Sequence, residues 1–157
     1  MSGPLTSGKI KSKSSLHKRK FAIVVAEWNA TITDALFAGA RECLIAHGVP
    51  ASHIIRRNVP GSFELTLGAL WMAEKKSIDA VICLGCVIQG ETPHFDYICQ
   101  GVTVGLTEVT IKTRKPVIFG VLTTLNLEQA MDRAGGKYGN KGEEAAITAI
   151  KMLEFSI

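Results

Sequence analysis

Two long apolar runs rich in branched residues constrain this chain more than any other feature. They are Phe21-Ala22-Ile23-Val24-Val25-Ala26 and Ala80-Val81-Ile82-Cys83-Leu84-Gly85-Cys86-Val87-Ile88. Neither alternates apolar with polar residues, so each reads as a strand covered on both faces, and the second, the more apolar, as the sheet centre. Such strands belong to parallel sheets, where every connection is a crossover and the crossovers are helices. Two further strands fit over residues 53–59, halted by Pro60-Gly61, and over residues 116–122, where proline is tolerated at the first position.

Helical patterns fill the gaps. Thr31 or Thr33 can cap a helix that runs to His47 and stops at Gly48 and Pro50; its apolar content is Ala35, Leu36, Ala38, Gly39, Cys43, Leu44 and Ala46. Gly61 or Ser62 can cap a second helix over residues 63–76, buried through Leu65, Ala69, Met72 and Ala73. A third spans residues 95–113. Asn126 with Gln129 forms a capping-box pattern for a short helix ending near Gly135-Gly136, and a last helix begins near Asn140 and buries Ala145, Ala146, Ala149, Ile150 and Leu153. Strands alternating with helices predict an α/β fold, a three-layer α/β/α sandwich around a four-stranded parallel sheet. At 157 residues, one such domain accounts for the chain.

The formal net charge of +4 misleads about that domain. Residues 1–20 hold six of the 18 cations and no acid, which leaves 12 cations against 14 carboxylates, a net of −2, over residues 21–157. The sequence therefore divides into a flexible basic arm over residues 1–20 and a slightly acidic domain over residues 21–157. An anionic partner or a targeting role is the sharper alternative for the arm. Nothing after Lys20 forms a nucleic-acid stripe, so no nucleic-acid partner is expected. No apolar run approaches the roughly 18 residues that cross a bilayer, and no apolar signal region opens the chain, so neither membrane nor secretion is expected. Cys43, Cys83, Cys86 and Cys99 sit in apolar or helical contexts that suit buried thiols and a reducing, cytoplasmic compartment. Cys83 and Cys86 stand three apart on a strand and so face opposite ways, which opposes shared metal ligation. No metal is expected.

Ligands of such sheets bind beyond the carboxyl ends of the strands. Four segments fall there. After the first strand comes Trp28, either a lid on the helix layer or a flat platform for a heterocycle. After the second, Ser62, Phe63 and Glu64 open a helix, where Phe63 can staple the turn and Glu64 can complement the helix dipole. After the third, Gly90-Glu91-Thr92-Pro93-His94-Phe95-Asp96-Tyr97 is the densest in chemical groups. Free amides and a threonine at a helix start can take an anion, and His94 beside them can exchange protons near pH 7; the plainer reading is a capped helix with a solvent-facing histidine. Beyond the fourth, Arg133 and Lys137 flank Gly135-Gly136 and could neutralise a phosphate dianion. Walker and dinucleotide-binding glycine patterns are absent from the sequence. His17, His47 and His53 read as surface residues.

Four ordered motifs carry a family resemblance: Val59-Pro60-Gly61-Ser62-Phe63-Glu64-Leu65, the run from Gly90 to Tyr97, Phe119-Gly120-Val121-Leu122-Thr123-Thr124, and Arg133-Ala134-Gly135 through Gly139-Asn140-Lys141-Gly142. Over residues 20–154 the chain resembles the lumazine synthase family, the 6,7-dimethyl-8-ribityllumazine synthases of riboflavin biosynthesis, and so a flavodoxin-like fold is implied. The resemblance implies a transferase that condenses 5-amino-6-(D-ribitylamino)uracil with 3,4-dihydroxy-2-butanone 4-phosphate, without metal or organic cofactor. It assigns proton transfer to His94 and ring stacking to Trp28. Ser62, Phe63 and Glu64 would hold the pyrimidine and its ribityl chain, with backbone contacts from Cys86, Val87 and Ile88. The phosphate site would be Glu91, through its main chain, with Thr92 and Arg133. Phe119 would close the pocket from a neighbouring subunit, and Glu144 would pair with Arg133.

The family assembles as pentamers, sometimes twelve in an icosahedral shell, with sites between adjacent subunits. The uninterrupted turn from Gly135 to Gly142 resembles the shell-forming members, so a 60-mer is expected over a free pentamer, with riboflavin synthase as an implied partner. Gln89 stands where many members carry arginine. Two other readings share the architecture. An archaeal-type riboflavin synthase would not need the phosphate clamp of Arg133 and Thr92 beside His94, and a non-catalytic shell or ligand-binding scaffold would not need His94, Arg133, Phe63 and Glu64.

Overall fold

A computed structural model describes residues 16–156 of the chain. In order they form β1 (Phe21–Ala26), α1 (Ala30–Ala46), β2 (Ile54–Val59), α2 (Leu65–Ala73), β3 (Ala80–Ile88), α3 (His94–Thr113), β4 (Val117–Thr124), α4 (Leu127–Met131), a hairpin of β5 (Ala134–Gly136) and β6 (Gly139–Asn140), and α5 (Lys141–Phe155). The main sheet is parallel with strand order β2-β1-β3-β4. The two wholly apolar runs thus lie at its centre, paired from Phe21 opposite Ala80 to Val25 opposite Leu84.

Both faces of those central strands are covered, as their composition requires. Phe21, Ile23, Val25, Ile82 and Leu84 meet Leu36, Leu44, Ala146 and Ile150 from α1 and α5. On the other face Ala22, Val24, Val81 and Cys83 meet Leu65, Ala69, Val102 and Leu106 from α2 and α3. Three layers result, with Cys83 and Cys86 in different cores.

Several expectations need correction. The first helix is capped neither by Thr31 nor by Thr33: Thr33 is buried, and the N-cap is Asn29, whose φ of 59° lies in the left-handed region that asparagine tolerates. Of the apolar content of this helix, Ala38 and Ala46 face solvent. The short helix ends at Met131, and the glycines beyond it form a hairpin that their composition does not announce. Of the arm expected over residues 1–20, residues 1–15 lie outside the described residues. Leu16, by contrast, is fully buried in the α1/α5 core. Arg19 pairs with Asp79 at 2.8 Å and the Lys20 amide donates to the same carboxylate at 2.7 Å, so residues 16–20 pack on the body.

Candidate active site

The chain leaves β1 toward β2 and returns on the other side of β1 as β3, so the loops from the two central strands diverge at their carboxyl ends. Open α/β sheets bind ligands in that crevice. The loop after β1 is fixed over β2, with the Glu27 amide donating to the Val59 carbonyl at 2.9 Å and the Trp28 amide to that of Pro60 at 3.2 Å. Trp28 itself is 74% exposed, so its ring is no part of the core. Asn29 Nδ2 donates to the Cys86 carbonyl at 3.0 Å and ties the same loop to β3. One lone pair of that carbonyl, expected as a substrate contact, is therefore occupied within the chain. Burial pushes the Cys86 thiol up to about 11, so it stays protonated and unreactive at neutral pH.

Phe63 and Glu64 are both exposed at the start of α2, whereas Ser62 is buried against β3. The packing explains the difference. A Cβ placed on Gly85 would stand 2.6 Å from Ser62 Oγ, and one on Gly101 of α3 would stand 3.1 Å from the Phe63 ring, so each glycine seats a side chain of this segment. Val87 and Ile88 end β3 half-buried. Next the Gln89 amide donates to the Thr124 carbonyl at 2.9 Å, which fixes the start of the following loop. Glu91, Thr92 and His94 are exposed, and the amides of Gly90, Glu91 and Thr92 have no hydrogen-bond partner among the described residues. His94 is the first residue of α3, a helix of 20 residues whose amino terminus favours an anion. This end of the sheet thus presents an exposed indole, a carboxylate, unpartnered amides at a helix start and an exposed imidazole.

A cavity of about 610 Å³ runs along the outer edge of β4, lined by Phe119, Thr124, Gln129, Arg133, Lys141 and Glu144 among others. Trp28, Phe63, Glu64, Glu91, Thr92 and His94 do not line it. Glu91 and Thr92, expected with Arg133 as one phosphate site, are not among the residues that line this cleft. Phe119 is 42% exposed into this cleft. Glu144 accepts from Lys141 at 2.7 Å rather than from Arg133, because the two residues lie three apart on the first turn of α5. Arg133 instead donates to the Gln129 carbonyl at 2.9 Å and lies over the Tyr138 ring. Sequence reasoning passed over Lys141 as a site residue; its place one residue after the Asn140 cap, on the face of Glu144, was the available signal. Among the described residues no group of three or more His, Cys, Asp and Glu could hold a metal ion.

Strand order and the polar crescent beyond the strand ends define a flavodoxin-like α/β/α protein with a polar crevice at the carboxyl ends of its strands. Residues 18–156 match the family model described as 6,7-dimethyl-8-ribityllumazine synthase. A protein of that name from Cytophaga hutchinsonii is 66% identical over 151 residues, covering 96% of this chain and 93% of its own. Another from Parabacteroides distasonis is 60% identical over 85% of this chain and 84% of its own, and one from Bacteroides fragilis 58% identical over 87% and 95%. The chain belongs to the 6,7-dimethyl-8-ribityllumazine synthase family.

Proposed function

We propose that this chain condenses 5-amino-6-(D-ribitylamino)uracil with 3,4-dihydroxy-2-butanone 4-phosphate, releasing phosphate and water to give 6,7-dimethyl-8-ribityllumazine. The observation that carries this reading is His94, exposed at the first residue of α3 beside the unpartnered amides of Gly90, Glu91 and Thr92, in a chain 66% identical to a protein named for that product. Amine attack on the ketone expels one water as the imine forms, elimination expels the phosphate, and attack of the second ring nitrogen on the remaining carbonyl closes the ring and expels a second water. Each step moves protons, which His94 carries, and the sequence gains from two substrates held side by side.

Trp28 and Phe63 supply flat faces for the pyrimidine, while Ser62 and Glu64 take its polar edge and ribityl chain, with Cys86, Val87 and Ile88 contributing backbone. Thr92 and the main chain of Glu91 seat the phosphate. Arg133, which one chain holds in the β4 cleft, completes that seat from a neighbouring copy, along with Phe119. Homo-oligomers with sites between adjacent subunits follow, as pentamers or as a 60-mer. Exposed Leu67 and Trp71 on α2, and Tyr97, Val104 and Ile111 seven residues apart on α3, support association because such side chains gain from burial against another copy. Four free thiols suit the cytoplasm.

Absorbance-monitored assays with the two purified substrates test the reaction. Lumazine is expected only when both are present. No lumazine from the assembled protein would overturn the reading, and conversion of lumazine supplied alone would reassign the chain to riboflavin synthesis.

A further inference from the structure

We infer that Tyr138 is a positioning residue that holds the Arg133 guanidinium ready for the substrate phosphate; this rests on the reaction proposed above. Arg133 is a long side chain following a short helix, and one of its N–H groups is committed to the Gln129 carbonyl at 2.9 Å. A single hydrogen bond leaves such a side chain free to swing. The Tyr138 ring removes that freedom by lying under the guanidinium, 4.9 Å from the ring centre to Cζ. Two backbone bonds in turn fix the ring's own segment: the Tyr138 amide donates to the Asp132 carbonyl at 2.8 Å, and the Lys141 amide to that of Arg133 at 2.9 Å. Positive φ at Gly135 and Gly139 lets the chain turn back between them.

The ring has no other evident task. Tyr138 is 51% exposed and belongs to neither core, so the packing of the sheet does not explain an aromatic residue there. It also lies 5.2 Å from the Lys137 ammonium, so two cations share one ring. Their mutual repulsion is relieved when a phosphate dianion arrives, and the donors of Arg133 not used by Gln129 remain free to bind it.

The test compares Tyr138→Ala and Tyr138→Phe with the parent protein. Losing an exposed cation–π contact corresponds to roughly a two- to fivefold change in an equilibrium constant. Tyr138→Ala is therefore expected to raise KM for the butanone phosphate, and the inhibition constant of inorganic phosphate, by about that factor, with KM for the pyrimidine unmoved. Tyr138→Phe keeps the ring face and should behave as the parent. Unchanged phosphate inhibition in Tyr138→Ala, an equal loss for both substrates, or no rescue by phenylalanine would overturn the inference. Calorimetric binding of inorganic phosphate reads the same effect without turnover, so failure of this inference and failure of the proposed reaction are distinguishable.

Discussion

The roles proposed for His94 and Arg133 differ in their chemistry, and replacement of each should fail differently. With His94→Ala the proton shuttle is lost while the ring platform stays, so kcat should fall about a hundredfold, the low end for an acid–base group, with pyrimidine affinity kept. Proximity of the substrates sustains the remaining rate. Arg133→Ala removes charge-assisted hydrogen bonds and should raise KM for the phosphorylated substrate about ten- to a hundredfold, with the thermal midpoint little changed, since Arg133 is only partly buried. Steady-state kinetics with each substrate varied in turn separate the two; identical profiles would contradict the assignments. His94 is legible in the sequence because it follows a strand end and opens a helix. The Lys141–Glu144 pair escaped because a carboxylate within a few residues of several cations names no partner until the helix phase is fixed.

Among the elements, the strands and most helices are legible because branched apolar runs and capping residues act locally. Asn126 accepts from the Gln129 amide at 2.9 Å, as its spacing predicts, and Asn140 caps α5. Asn29 is not legible in the same way, because its role depends on Cys86, 57 residues away. The hairpin of β5 and β6 has too few side chains to show any period. Asn140 joins the local signal to the packing: its Oδ1 accepts from the Gly142 amide at 2.8 Å, while its Nδ2 donates to the Ala35 carbonyl of α1 at 2.9 Å. Asn140→Ala removes a helix cap and an interhelix bond together and should cost about 2 kcal/mol, the upper end for a cap. Urea unfolding should show a lower midpoint at constant slope; an unchanged midpoint would mean that neither bond contributes.

For the whole molecule, the layered fold is legible and the completed site is not. A strand-end rule finds the segments rich in chemical groups but says nothing of how the proposed site is shared between copies of the chain; Arg133 lines the β4 cleft, which Glu91, Thr92 and His94 do not. The thiols set a further property of the entire body. Burial pushes Cys43 and Cys86 from 9.0 up to about 11, and Cys83 further still, so the unfolded chain loses thiol protons that the folded chain keeps. Their contribution to stability is complete below about pH 9 and declines as the pH rises from there through 11. Thermal midpoints should fall over that interval, and a midpoint unchanged across it would contradict the burial of these groups.

The proposed division of the site between neighbouring copies is tested most directly by mixing. His94→Ala and Arg133→Ala chains, denatured, combined in equal amounts and reassembled, should form composite sites in which each variant supplies the half the other lacks. About one site in four then has both halves intact, as random association in a closed ring requires. With butanone phosphate held below the parent KM, where both variants are slow, lumazine formation by the mixed assembly is expected to exceed the mean of the two variants reassembled separately, toward a quarter of the parent rate. Activity equal to that mean would place His94 and Arg133 in one chain's site and contradict the account.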